Sequence, residues 1–370
     1  MKKYRWNTLS PHFFGKKNKK TKSFHKNYTF KNKKRRTLKK NRKSNIIYKT
    51  DKIKYYIKII IIIILFIFFI ANSNVFETNI KKENYGLSLS EKMKDYNSKK
   101  FAIIKRLDCP VCGLFSFYIV HLGCVYKFLN EGYIPIVDLQ DYKNIYNNWT
   151  ISLYNPWELF FYQPYNYTLE EVKKYAKNIN YFSCSSNIFR PNELNIFFDN
   201  SSLIFWRNIS QKYMPIKIKI INEAKIIMKY LFGNSKNVLG VKIRGTDYLK
   251  RPSGHSIQPN VEQVIKDVKI YDEKYKYDFI FFTTEDENIK KKFVPEFKDK
   301  IKLLNPNDSH MINFENKNYQ HLNYVKNYLF SVVILSNCLD IISSKCDGAV
   351  GVIFITKGFR NSLIYNLGVN

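Results

Sequence analysis

Past residue 100 the chain alternates short apolar runs with longer stretches whose apolar residues recur at helical spacing. FAIIKRL, from Phe101, reads as a strand. GLFSFYIVHLGCVYKFLNEG, from Gly113, reads as a helix closed by Gly132. YIPIVDL, from Tyr133, reads as the next strand. Strand, helix and strand in this order predict a parallel sheet. The middle, Tyr142 to about Asn208, is rich in Trp, Tyr, Asn and Pro and shows no clear period. A long helix follows over Ile216 to Phe232, ending at Gly233. Alternation then resumes, with strands at Val238 to Ile243, at YDFIFFTT from Tyr277, at DKIKLL from Asp299 and at LDIIS from Leu339. Helices fall between them at Val261 to Tyr275, Glu285 to Phe293 and His321 to Asn337, and the last turns end in SLIYNLGVN. The pattern predicts an α/β chain of two halves, 98–235 and 236–370, with a cleft between them suited to a nucleotide-using transferase. There is no internal repeat and no GxGxxG fingerprint.

Ahead of residue 98 the pattern is different. Ile59 to Ala71 carries no polar side-chain atom. With Lys58 snorkelling and Tyr55, Tyr56 and Phe76 at the interfaces, the run extends to residues 55–76. A helix of that length is about 33 Å long, enough for one transmembrane span in a thin membrane. A tail of over fifty residues precedes it, which does not suit a cleaved signal peptide. Residues 77–97 read as a polar stem, with the folded part beginning near Phe101.

Charge sharpens this picture. The net charge is +32, and roughly 20 of those charges fall before residue 55, where Asp51 is the only acid. The charge therefore describes a tail rather than a binding face. Segments such as KNKKRRTLKK suit nucleic acid or acidic lipid, but beside an apolar span they also set topology. That asymmetry predicts a single-pass type II membrane protein of the Golgi or endoplasmic reticulum, with residues 1–54 cytosolic and the domain luminal. The six cysteines, Cys109, Cys112, Cys124, Cys184, Cys338 and Cys346, all follow the span, as disulfides in an oxidising compartment require. Cys109-Pro-Val-Cys112 is a CxxC pair that reads as structural, redox-active or half of a zinc site; no second CxxC or close His pair completes a metal site. Sequons at Asn148, Asn166, Asn200, Asn208 and Asn307 are compatible with a luminal domain.

In open parallel sheets ligands bind beyond the carboxyl ends of the strands. Three polar clusters fall there in the second half: Arg244-Gly245-Thr246-Asp247, Thr283-Thr284-Glu285-Asp286, and Ser343-Ser344 ahead of Lys345. An arginine fork matches phosphate oxygens. Gly245 lets a bulky group approach the backbone, Thr246 offers a hydroxyl, and Glu285 or Asp286 can accept from ribose hydroxyls or a base edge. Asp247 is a base candidate or the partner that orients Arg244. His255 is a base or a helix cap. Trp149, Trp157 and Trp206 suit either a sugar-stacking face or the core.

These residues carry a resemblance. VKIRGTDYLKRPSGHSIQP, from Val241, resembles the first motif of the fucosyltransferase superfamily that includes α1,6-fucosyltransferases and protein O-fucosyltransferases. Arg244, Thr246, Asp247 and His255 stand at motif positions. FIFFTTEDENIKKKF resembles the second motif, and the motif order is similar to bacterial relatives over most of residues 101–370. The resemblance implies a GT-B fold of two Rossmann-like halves, the first on the acceptor side and the second on the donor side. It implies GDP-fucose or another GDP-sugar as donor, an inverting transfer to a glycan or protein hydroxyl, and no metal or other cofactor. Arg244 would hold the β-phosphate and stabilise the leaving GDP. Lys242 replaces the family histidine and Gly245 the second arginine, and no glutamate follows Asp247 as in the α1,6 enzymes. Ser343, Ser344 and Thr356 are the candidates for a third, hydroxyl-rich motif. The rival readings are an inactive luminal protein that binds GDP-sugar or glycan, and a membrane-tethered nucleic-acid binder. The second leaves the α/β domain unexplained, so no nucleic-acid partner is expected.

Overall fold

The structure, a computed structural model, describes residues 89–147, 154–245, 254–304 and 320–369. The basic tail, the span at 55–76 and most of the stem lie outside them. Among the described residues no helix is long and apolar enough to cross a membrane. The folded part begins earlier than its polarity suggests. Helix α1, Leu89–Ser98, lies mostly within the stretch read as stem. It is anchored by Tyr96, whose ring packs on Phe101 and Tyr167 and whose hydroxyl donates to Glu171 at 3.0 Å.

Strand β1, Phe101–Arg106, is followed by α2, Leu114–Asn130, and β2, Ile134–Val137. Helix α2 buries residues all round, from Leu114 to Phe128, as an apolar helix without a polar stripe must. The irregular middle holds more order than its composition predicts. It contains α3, Trp157–Phe160, α4, Leu169–Tyr175, β3, Ile179–Cys184, α5, Glu193–Phe198, and α6, Asn200–Tyr213. Trp157 and Trp206 are core residues here, buried against α2 and its neighbours, rather than a sugar-stacking face. Trp149 lies outside the described residues. A disulfide from Cys124 to Cys184 ties α2 to β3, and a second joins Cys109 to Cys112; Cys338 and Cys346 are buried and in neither disulfide.

The second half follows the predicted alternation. Helix α7, Ile218–Phe232, closes the first half, and the second holds β4, Val238–Ile243, α8, Val261–Tyr275, β5, Phe279–Thr284, α9, Glu287–Phe293, β6, Ile301–Lys302, α10, Gln320–Ser336, β7, Asp340–Ser343, α11, Asp347–Ile355, and β8, Asn361–Ile364. Two parallel sheets result, β2-β1-β3 and β6-β5-β4-β7-β8. The SLIYNLGVN segment supplies the edge strand β8, which its mixed pattern does not announce.

One hydrophobic cluster runs through both halves, from Phe117 and Trp157 to Leu329 and Val350. Helix α11 is the joint. Its last carbonyls, which no helical N–H can reach, accept from the first half instead. Arg207 donates to the Ile353 carbonyl at 2.7 and 3.1 Å, and Gln211 to that of Phe354 at 3.0 Å.

Candidate active site

The five-stranded sheet has β4 at its centre. The chain winds from β4 to β5 and β6 on one side, and reaches β7 and β8 on the other. The order therefore reverses between β4 and β7, and the crevice beyond their carboxyl ends is where such sheets bind ligands. Arg244 leaves β4 there and Ser344 leaves β7. They meet directly: the Arg244 N–H donates to Ser344 Oγ at 3.0 Å, and the Ser344 N–H donates to the Lys242 carbonyl at 2.8 Å. Ser343, buried, turns its hydroxyl back to the Ser344 carbonyl at 2.9 Å.

Alternation along β4 puts Gly240, Lys242 and Arg244 on one side, facing α10. Lys242 is 3% exposed, and its ammonium lies over the Tyr328 ring, 5.3 Å from the centroid. Among the described residues it has no carboxylate partner. Two cations thus stand two residues apart at the end of the central strand, and only Arg244 pairs with a carboxylate there. Glu285 accepts from Arg244 Nε at 3.2 Å and from the Gly245 N–H at 2.7 Å. It binds as an anion would, rather than standing ready for a ribose.

Asp286 is likewise occupied. Its carboxylate caps α9 by accepting from the N–H groups of Asn288 and Ile289, at 2.9 and 3.2 Å. It also explains Gly245. A Cβ at that position would sit 2.4 Å from the Asp286 Cβ. The glycine makes room for its own neighbour, and the family's second arginine has no place here.

The structure adds residues that no strand-end pattern singled out. In the three-stranded sheet the order reverses between β1 and β3. Arg106 ends β1, its Nε donating to Asp108 at 3.0 Å and its Nη1 to Ser116 Oγ at 3.1 Å. Asp108 accepts from the Ser186 N–H beyond β3 at 3.0 Å. Burial pulls the Asp108 carboxyl up, but the Ser186 and Arg106 bonds outweigh it and hold it below the usual carboxylate range. Asp347, the first residue of α11, lies within electrostatic reach of both Arg106 and Arg244. Burial pushes its carboxyl above the usual range, against the pull of Arg190, a Ser116 hydrogen bond, Arg106 and Arg244. Beside it, burial raises the Tyr328 and Tyr324 hydroxyls. A signal for Asp347 was present in the sequence, a lone carboxylate heading the apolar run GAVGVIFI.

Lys242, Arg244, Gly245, Glu285, Asp286, Ser343 and Ser344 are therefore brought together. Thr246 and Asp247 lie outside the described residues. His255 is exposed, next to Ser256, whose backbone bridges to Val369. Thr356 does not belong to the site. It follows the carboxyl end of the nine-residue α11, about 13 Å from the Asp347 end, and its hydroxyl accepts from the Gly358 N–H.

No protein-family model matches the chain, and no curated protein matches it. Solved structures do. NodZ alpha-1,6-fucosyltransferase soaked with GDP-fucose is 12% identical, over 70% of this chain and 93% of that one, with a TM-score of 0.41. Fucosyltransferase NodZ from Bradyrhizobium is 12% identical over 70% of this chain and 92% of that one, with a TM-score of 0.40. POFUT1 in complex with GDP-fucose is 11% identical over 73% of this chain and 74% of that one, with a TM-score of 0.35. At 12% identity or less, the chemistry rests on this chain's own residues.

Proposed function

We propose that the chain is a glycosyltransferase of GT-B architecture that moves fucose from GDP-fucose to a glycan or protein hydroxyl. The observation that carries this reading is the pair of cations, Lys242 and Arg244, at the switch point of the five-stranded sheet, within the motif that resembles the fucosyltransferases. A nucleoside diphosphate would displace the Glu285 carboxylate from Arg244 and the Gly245 N–H, and draw on Lys242 as well. Both cations then neutralise charge that grows on the β-phosphate as the sugar leaves. The bond from the anomeric carbon to the phosphate oxygen breaks, and a bond to the acceptor oxygen forms on the opposite face. The acceptor proton passes to a base, and Asp347 is the residue we assign, since burial raises its carboxyl and makes it a stronger proton acceptor than an ordinary aspartate. The two disulfides suit an oxidising lumen, with the chain anchored by residues 55–76 as a type II protein.

Calorimetric titration of the full chain with GDP, UDP and CMP tests the reading. Selective GDP binding, weakened at least about tenfold by Arg244→Ala, is expected for a lost charge-assisted phosphate contact. Binding without transfer from GDP-fucose to any glycan or peptide would favour the inactive sugar-nucleotide binder. No nucleotide binding by the folded chain would overturn both.

A further inference from the structure

The four sulfurs in disulfides are in two very different situations. Cys124 and Cys184 are 1% and 2% exposed, sealed between α2 and β3. Cys109 and Cys112 are only half-buried, on a loop whose Val111 is 48% exposed. The thiols of Cys338 and Cys346 are buried too, and burial raises that of Cys338. Among the described residues, the Cys109–Cys112 bond is therefore the one sulfur pair that an incoming thiol can reach.

Its setting suits exchange. The loop joins the carboxyl end of β1 to the start of the 17-residue α2, and Gly113 at the N-cap offers no side chain to the helix's first N–H groups. The uncapped positive end of a helix lowers the pKa of a nearby thiol and makes it a better leaving group. The loop backbone is also held independently of the sulfurs. The Cys112 N–H donates to the Cys109 carbonyl at 3.3 Å, and the Ile145 N–H to that of Pro110 at 3.1 Å. Tyr146 donates its hydroxyl to the Cys112 carbonyl at 2.9 Å. These bonds keep the two sulfurs neighbours after the covalent link opens, so the link can re-form.

We propose that Cys109–Cys112 is a thiol–disulfide exchange site that takes a dithiol as its substrate. A thiolate of the dithiol attacks one sulfur, the S–S bond breaks, and the other cysteine leaves as a thiolate. The second thiol of the reductant then closes on the mixed disulfide. Two electrons pass to the cysteines, two protons end on their sulfurs, and the dithiol leaves as a disulfide. The site touches the candidate active site through Asp108, which the same loop presents to Arg106 and to the Ser186 N–H.

The test is trapping on the full-length protein in graded dithiothreitol. Free thiols are alkylated, peptides are mapped, and far-ultraviolet circular dichroism follows the fold. Cys109 and Cys112 are expected to be labelled together while the protein stays folded, at least about tenfold faster than Cys124 and Cys184. Oxidised dithiothreitol added before the alkylating agent should re-form the bond and prevent the labelling. Opening of both disulfides only as the fold is lost would overturn the proposal. So would labelling of Cys109 and Cys112 before any reductant is added.

Discussion

Two influences of opposite sign meet on Asp347. Burial raises its pKa, and the charges of Arg190, Arg106 and Arg244, with the Ser116 bond, pull it down without winning. The fold therefore favours the protonated form. Its stabilising share is complete below the unfolded value of 3.8 and is lost as pH rises through the folded-state value. Asp347→Asn should leave stability unchanged in acid and raise it, relative to the native chain, as pH climbs past that window. The same variant should slow transfer by about 10²- to 10⁴-fold, the span expected for a general base, with GDP binding nearly intact. Urea unfolding at two pH values and steady-state kinetics check both; a variant with native transfer rates removes Asp347 from catalysis. At this scale the sequence showed which groups could bind a phosphate, because Arg244 and Ser344 stand at strand ends. It did not show their partners. Asp286 reads as a ligand until its carboxylate is seen capping α9, and Gly245 reads as a gap for a ligand until Asp286 is seen filling it.

Among the elements, apolar density decided what was legible. Strands β4, β5 and β7 are buried on both faces, and their apolar centres VLGV, FIFF and II stand out in the sequence. Strand β3, INYFSC, is an edge strand that buries only Cys184, so no period marks it. Helix α6 shows no clear period in the sequence although Asp199 caps it, accepting from the Ser201 N–H at 3.0 Å, because its polar residues mask the buried Trp206. Helix α2 makes its own prediction. His121 is fully buried, with Nδ1 2.8 Å from the Phe117 carbonyl. That carbonyl can only accept, so the proton sits on Nδ1. Nε2 and the nearby Trp157 Nε1 are both buried without a hydrogen-bond partner among the described residues. Burial lowers the His121 pKa from 6.5 to about 4. A depressed histidine costs stability as pH falls from the unfolded value through the folded one, on the order of 3 kcal/mol once fully charged. Urea titrations from pH 7 to 4 should show this loss in the native chain and little of it in His121→Phe, after allowance for repacking.

For the whole molecule, the sequence pattern predicts parallel α/β alternation, which the two sheets show, but not the core that runs between them. Helix α11 makes that core continuous, packing on α2 while its last carbonyls accept from α6. Its contact with α2 is close enough to exclude a side chain. A Cβ on Gly351 would lie 2.2 Å from Cε1 of Phe115, a ring that is itself 3% exposed and has nowhere to turn. Gly351→Ala therefore forces the two helices apart. Overpacking of this kind costs about 1 to 3 kcal/mol, less the few tenths to 1 kcal/mol that alanine gains over glycine within a helix. Because one core serves both sheets, the native chain should unfold in a single urea transition, with the midpoint lowered and the slope kept in Gly351→Ala. Two separated transitions in the native chain would mean that the halves stand independently. In the variant, GDP should still bind at the β4 end, while transfer falls, because α11 carries Asp347 about one turn before Gly351 and the displacement moves the base away from Arg244.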